Sequence, residues 1–150
     1  MFSTKRIYPD QPIVGIGVVI VKEGKIVLIK RGNDPGKGKW SVPGGIVDLG
    51  ESIQKAVIRE AKEETCLEVT NPLLVDVVEN VEIDSEGKVK YHYVIIDYLV
   101  QVVSGEIAAA SDAEELHWVK FNDVEDYNLT SSFRYFFTTN RSRLEKLSSY

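Results

Sequence analysis

The sequence predicts an α+β fold, a mixed or antiparallel sheet covered by helices. Three observations predict it: β-branched runs that come as two hairpin pairs, an amphipathic helical stretch between the pairs, and a second helical pattern at the carboxyl end. The chain has 150 residues, 43% of them hydrophobic and 27% charged, enough to bury one core, so a single compact soluble domain over 1–150 is expected.

In chain order, Ile13 to Val21 and Ile26 to Ile29 are strand-like runs around Lys22-Glu23-Gly24-Lys25, which reads as a hairpin. Arg31 to Gly45 carries five glycines and two prolines and reads as loop, with a short strand around Trp40 to Val42. Ser52 to Thr65 has helical apolar spacing, with Ser52 as N-cap and Asn71-Pro72 well past its end. Leu73 to Ile83 and Val89 to Val103 form a second hairpin about Asp84-Ser85-Glu86-Gly87. Glu106-Ile107 and Leu116 to Phe121 are weaker strand candidates. Thr130 to Leu147 places Phe133, Phe136, Phe137, Leu144 and Leu147 at helical spacing, a packing helix.

Composition excludes several classes of function. The net charge of −5 and a pI near 5.1 argue against general binding to a nucleic-acid backbone, while leaving room for a small phosphorylated ligand in a local basic pocket. The longest apolar run, Ile13 to Val21, is too short to span a bilayer. The first residues, Met1-Phe2-Ser3-Thr4-Lys5-Arg6, lack the pattern of a secretory signal. The single cysteine, Cys66, forms no internal disulfide and no thiolate metal cage, so a cytoplasmic location is expected.

The residues that carry chemistry lie between Gly45 and Leu67. On a helix from Ser52, neighbours three and four apart bring Glu60, Glu63 and Glu64 into one acidic patch, and Glu60 and Glu64 fall near the core-facing side of Ile53 and Val57. Carboxylates about 5.5 Å apart repel by roughly 3 kcal/mol at an effective dielectric near 20. A cation is expected among them. Carboxylate oxygens suit Mg²⁺ or Mn²⁺ rather than Zn²⁺. Arg59 lies angularly nearer Glu63 than Glu64 and can hold Glu63 ionised and oriented. In isolation, Arg59-Glu60-Ala61-Lys62-Glu63-Glu64 reads more readily as a solvated helix face, and it is the surrounding block that changes the reading.

The whole block, 45–67, resembles the Nudix box: Gly, five residues, Glu, seven residues, Arg-Glu, an aliphatic, any residue, Glu-Glu, any residue, Gly, an aliphatic. Gly45, Glu51, Arg59, Glu60, Glu63 and Glu64 stand at the required offsets. Such a match arises on the order of once in ten million windows by chance. Ala61 and Leu67 fill the apolar positions, but Cys66 stands where the pattern has its last glycine. A Cβ at that left-handed turn costs about 1 kcal/mol. The lead-in Leu28-Ile29-Lys30-Arg31 and Gly38-Lys39-Trp40-Ser41-Val42-Pro43-Gly44-Gly45 is similar to the family's strand and loop before the box.

The resemblance implies an α/β/α sandwich with a mixed central sheet, a box helix and a carboxyl-terminal helix. It implies divalent metals on Glu60, Glu64 and the Gly44 carbonyl, with Glu63 as a further ligand or a group assisting water activation, and with Glu51 and Arg59 supporting the cluster. Mg²⁺ is the expected cofactor, with Mn²⁺ as substitute. The implied reaction is hydrolysis of a nucleoside diphosphate linked to another moiety. Within the family, the Ala110-to-Glu115 turn and Tyr91-His92-Tyr93 look most like the small ADP-ribose pyrophosphatase group, whose products are AMP and ribose 5-phosphate. Rival expectations are a hydrolase of oxidised or other nucleoside triphosphates, a dinucleoside polyphosphate hydrolase, and a regulatory domain that binds a nucleotide without cleaving it. The resemblance leaves homodimerisation open. No nucleophile elbow, phosphate-binding lysine loop or Cys/His arrangement suggests covalent catalysis.

Many relatives carry a glutamate near 112–115 that completes the metal site or acts as general base. Glu114 is the first choice, with Asp112 and Glu115 behind it. Among Lys30, Arg31, Lys37 and Lys39, any could meet substrate phosphates or simply solubilise the surface; Arg31 and Lys39 are the choices for substrate binding. Tyr93 could stack on a base or pack across strands. Trp40 is expected to pack the strand entering the box. His92 and His117 have no histidine partners at metal-site spacing and receive no catalytic role.

Overall fold

A computed structural model describes residues 5–108 and 113–148, apart from the side chains of 113 and 114. Glu23 and Gly24 both have positive φ, 53° and 75°, which closes β1 (Ile13–Lys22) onto β2 (Lys25–Arg31) by the two-residue turn that matches strand twist. The chain continues through β3 (Trp40–Ser41), β4 (Gly44–Ile46), α1 (Ile53–Thr65), β5 (Glu68–Ile83), β6 (Val89–Ser104), β7 (Ala113–Lys120), a 3₁₀ turn (Phe121–Asp126) and α2 (Ser131–Leu147).

β1 belongs to two sheets. In the mixed sheet, β5 runs antiparallel to β6, β6 parallel to β1, and β1 antiparallel to β4. In the smaller antiparallel sheet, β2 lies between β3 and β7 and joins the end of β1. Alternation along β1 then assigns the two cores. Ile16, Val18 and Ile20 pack with Ala56, Val57 and Ala61 of α1, whereas Val19 packs in the core that holds Phe133, Phe136, Phe137 and Leu144 of α2. The expected helix–sheet–helix sandwich is the observed architecture. No helix among the described residues is long and apolar enough to cross a membrane.

Four boundaries depart from the sequence reading. Gly44–Ile46, expected to be mostly loop, pairs with Gly15–Gly17 as β4, because glycines on both strands allow a close approach that composition alone reads as flexibility. β5 begins at Glu68 rather than Leu73: Asn71 takes a φ of 51° and the register shifts between Thr70 and Leu73, so Asn71-Pro72 sits in an irregularity within the strand. Glu106-Ile107 is not strand; its neighbour Ala108 donates a backbone hydrogen bond to the Thr65 carbonyl. Phe121 opens the 3₁₀ turn instead of ending β7.

Candidate active site

The site is built on α1. Ser52 caps the helix by accepting a hydrogen bond from the Lys55 amide at 3.3 Å, and the helix ends at Cys66 in the left-handed region, φ 65°, with its amide bonded to the Lys62 carbonyl. The glycine-to-cysteine departure puts this exit in doubt, and the helix nonetheless ends in the left-handed turn that the family pattern's glycine supplies.

Arg59 is the hub. Its guanidinium donates to both Glu51 carboxylate oxygens at 2.7 and 2.9 Å, to Glu60 at 2.7 Å, to Glu63 at 3.1 Å and to the Ile46 carbonyl at 3.1 Å. The expected Arg59–Glu63 contact is present, and the bidentate grip on Glu51 is the stronger feature. Arg59 holds Glu51 well below the usual carboxylate range, to about 2, assisted by the Asp48 amide. Glu60 moves the other way: it is 8% exposed, and burial raises its pKa against the pull of Arg59. Its carboxylate lies against Gly45, where any Cβ would overlap it. Glu64 reaches across to β4 and accepts the Gly44 amide at 3.1 Å.

Among the described residues, no three His, Cys, Asp or Glu side chains are gathered in a metal-holding arrangement; the Arg59 guanidinium stands between the carboxylates. The donor chemistry nevertheless fits a hard divalent cation. Glu60, Glu63 and Glu64 offer only oxygen, and they share with Gly44 the lining of a cleft of about 460 Å³.

The cleft also takes Arg31, Lys39 and Tyr93, all three expected in substrate binding, while Lys30 and Lys37 are not among the described residues lining it. Arg31 donates to the Pro35 carbonyl at 2.7 Å and is thereby held in place. Glu51 stays outside the lining and is bound by Arg59, which lines it. Tyr93 is buried and stacks at 6.4 Å on Tyr91, so packing is its observed part. Trp40 stacks on His117 at 4.8 Å and meets Tyr127 edge-on, as expected of a packing residue. Glu115 is exposed and lies 3.6 Å from His117. The backbone of Glu114 opens β7, but its side chain, and all of Asp112, lie outside the described residues.

Sequence reasoning missed Asp97. It sits on β6 opposite Gly17, lines the cleft, and is 2% exposed. Burial, with a smaller contribution from Asp76, pushes it up to about 7. The available signals were a carboxylate inside an apolar run, Val94-Ile95-Ile96-Asp97-Tyr98-Leu99-Val100, and two glycines within a strand. Arg6 at the cleft edge was missed as well.

The NUDIX domain family matches residues 11–139. An ADP-ribose pyrophosphatase of Methanocaldococcus jannaschii is 38% identical over 113 residues, 75% of this chain and 64% of that protein, so the chain spans somewhat under two thirds of that relative. A crystal structure of a MutT NUDIX hydrolase from Burkholderia pseudomallei superposes with a TM-score of 0.73 at 38% identity, covering 83% of this chain and 95% of that one. The NUDIX domain of NrtR from Shewanella oneidensis, solved with ADP-ribose, matches at a TM-score of 0.74 and 22% identity over 90% of each chain, a likeness of fold.

Proposed function

The chain belongs to the Nudix family, and on that premise we propose that it is a divalent-metal-dependent pyrophosphohydrolase that converts ADP-ribose to AMP and ribose 5-phosphate. The observation that carries the reading is the juxtaposition at one cleft of the α1 carboxylates, ordered by Arg59 against β4, with the cations Arg31 and Lys39. The similarity to a named ADP-ribose pyrophosphatase supports the choice of substrate.

In this reading Glu60, Glu64 and Glu63, with the Gly44 carbonyl, hold Mg²⁺, for which Mn²⁺ substitutes. When bound, the metal neutralises diphosphate oxygens and lowers the pKa of a water. Arg59 keeps Glu63 and Glu60 oriented, and Glu51, ionised down to about pH 2, keeps Arg59 oriented. Glu114 serves as the additional acid or base from the start of β7. Arg31 and Lys39 meet the phosphates, and the Tyr93 edge borders the nucleoside end. The reaction is placed in the cytoplasm, consistent with the free Cys66. A homodimer is part of the same reading, supported by exposed Leu73, Leu74, Val77, Val81 and Ile83 on β5, and size-exclusion chromatography with light scattering reads it.

Product analysis over a nucleotide panel with Mg²⁺ tests the proposal. AMP and ribose 5-phosphate from ADP-ribose, at a kcat/KM well above that for triphosphates or dinucleoside polyphosphates, is the expected result. Preferred turnover of a triphosphate or dinucleoside polyphosphate overturns the substrate assignment. Binding of ADP-ribose without turnover of any nucleotide overturns the catalytic one.

A further inference from the structure

The end of the cleft away from the α1 carboxylates is lined by a different set of groups. Ile13 on β1, Tyr93 on β6 and Asn80 on β5 are register partners, so they form one row across three strands, and Tyr93 and Asn80 both line the cleft. Tyr93 is 8% exposed and shares a small core with Ile13 and Tyr91. Its ring is held, but its hydroxyl is not engaged. Among the described residues that hydroxyl has no hydrogen-bond partner, and since no fully enclosed polar side-chain atom lacks one there, it opens into the cleft. Asn80 and Arg6 line the cleft as well, and among the described residues neither side chain makes a hydrogen bond or an ion pair.

Arg6 reaches this end because the segment before β1 is tied down. Tyr8, at a φ of 50°, donates its amide to the Lys90 carbonyl at 2.8 Å and its hydroxyl to Asp84 at 2.6 Å. Asp84 also accepts the Glu86 and Lys88 amides, so the anchor is the β5–β6 turn itself. Two residues before this anchor, the Arg6 charge acts on the Tyr93 hydroxyl together with that of Arg31. Acceptors line the cleft close by: Glu82, the register partner of Tyr91, and Asp34, whose charges both act on Tyr91. A row of donors is therefore flanked by carboxylates.

This mixture selects against two kinds of ligand group. A further phosphate would meet Glu82 and Asp34, and an apolar ring would leave Asn80, Tyr93 and Arg6 without partners once it displaced their water, which is costly. A vicinal diol fits, because each hydroxyl both donates and accepts and neither carries charge. Its place in the cleft agrees. Gly45, against which Glu60 lies, is three residues along and two strands across from Tyr93, about 14 Å by strand geometry, a span covered by a diphosphate and one attached sugar with the side chains at either end. We propose that Asn80, Tyr93 and Arg6 form a subsite for the ribose of the nucleoside, binding its 2′ and 3′ hydroxyls, and that Tyr8 is the positioning residue that holds Arg6 there. The inference deepens the proposed function and rests on it for the orientation of ADP-ribose in the cleft.

The test compares ADP-ribose with two analogues, one carrying 2′,3′-dideoxyadenosine and one carrying 2-deoxyribose at the other end, in the presence of Mg²⁺. Wild type is expected to show a KM for the dideoxyadenosine analogue about thirtyfold above that for ADP-ribose, the scale of two lost hydrogen bonds, with kcat changing far less. Asn80→Ala, Tyr93→Phe and Arg6→Gln are each expected to lower this ratio by about threefold or more, while the ratio for the terminal analogue keeps its wild-type value. A role confined to packing would move all three substrates together and leave both ratios unchanged. Tyr8→Phe is expected to raise the KM for ADP-ribose about threefold and to add nothing in an Arg6→Gln background. Calorimetric titration of the same three ligands in EDTA follows affinity without hydrolysis. If ADP-ribose binds without being hydrolysed and the affinity ratio responds to the variants in this way, the ribose subsite stands and the catalytic assignment falls. If ADP-ribose is hydrolysed while Asn80→Ala or Tyr93→Phe keeps the wild-type ratio, the subsite falls alone. A response confined to the terminal analogue reverses the orientation and overturns the proposal, and an additive effect of Tyr8→Phe overturns the positioning role. ADP-ribose that is neither bound nor hydrolysed overturns both readings.

Discussion

Glu51, bound to Arg59 behind the cleft, and Asp97, in the cleft lining, are both carboxylates, and their surroundings send them in opposite directions. Glu51 is gripped by two guanidinium bonds and held down to about 2, whereas Asp97 faces glycine, valine and a like charge and is pushed up to about 7. At neutral pH one is a permanent anion, the other a group that can keep its proton. A cation or an apolar wall, supplied by the neighbouring strand or helix, decides which chemistry the same side chain performs.

The largest break in this contrast is Arg59→Ala. It removes the partner of Glu51, Glu60 and Glu63 together and leaves them to repel one another. A loss of about 2–4 kcal/mol in urea-unfolding stability is expected. A loss below about 0.5 kcal/mol would mean that the hub does not organise the cluster. Gly17→Ala attacks the other end, where the new Cβ collides with Asp97, and about 1–3 kcal/mol of destabilisation is expected. Combining it with Asp97→Ala should cost less than the two single losses added together, which thermal unfolding of all three variants measures.

Stability against pH sharpens the same contrast with a smaller effect. The folded pKa of Glu51 is depressed, so its contribution is complete above about 4.5 and is lost as pH falls towards 2. That of Asp97 is raised, so the folded state retains a proton that the unfolded state gives up, and stability declines as pH rises from 3.8 to about 7. Melting curves of Glu51→Gln should lose the acid limb and leave the decline towards neutrality in place. The smallest change is Cys66→Gly, which relieves a side chain at φ 65° and should stabilise by up to about 1 kcal/mol. A lowered melting temperature would show that the cysteine makes a packing contribution larger than the backbone strain.

Helical spacing was enough to read α1 to within a residue, its serine cap and the Arg59–Glu63 contact, because all are local in sequence, whereas the left-handed end rests on the resemblance alone and Cys66 puts it in doubt until the structure shows it. Spacing could not reveal β4, since Gly44 and Gly45 signal a loop until β1 lies alongside, with Gly17 opposite Gly44 and Ile16 opposite Gly45. The early start of β5 was hidden for a related reason, Asn71-Pro72 being tolerated where the register shifts. Asp97 escaped notice because its meaning depends on Gly17, 80 positions earlier in the chain and adjacent only through the parallel pairing of β1 with β6.

Glu64→Gln tests the central claim most directly, since it removes one charge from the α1 cluster while its remaining oxygen can still accept the Gly44 amide. With Mg²⁺ and ADP-ribose, hydrolysis is expected to fall about 10²–10³-fold, the scale lost with one group that stabilises transition-state charge, at an unchanged melting temperature. Hydrolysis within twofold of wild type would contradict the account.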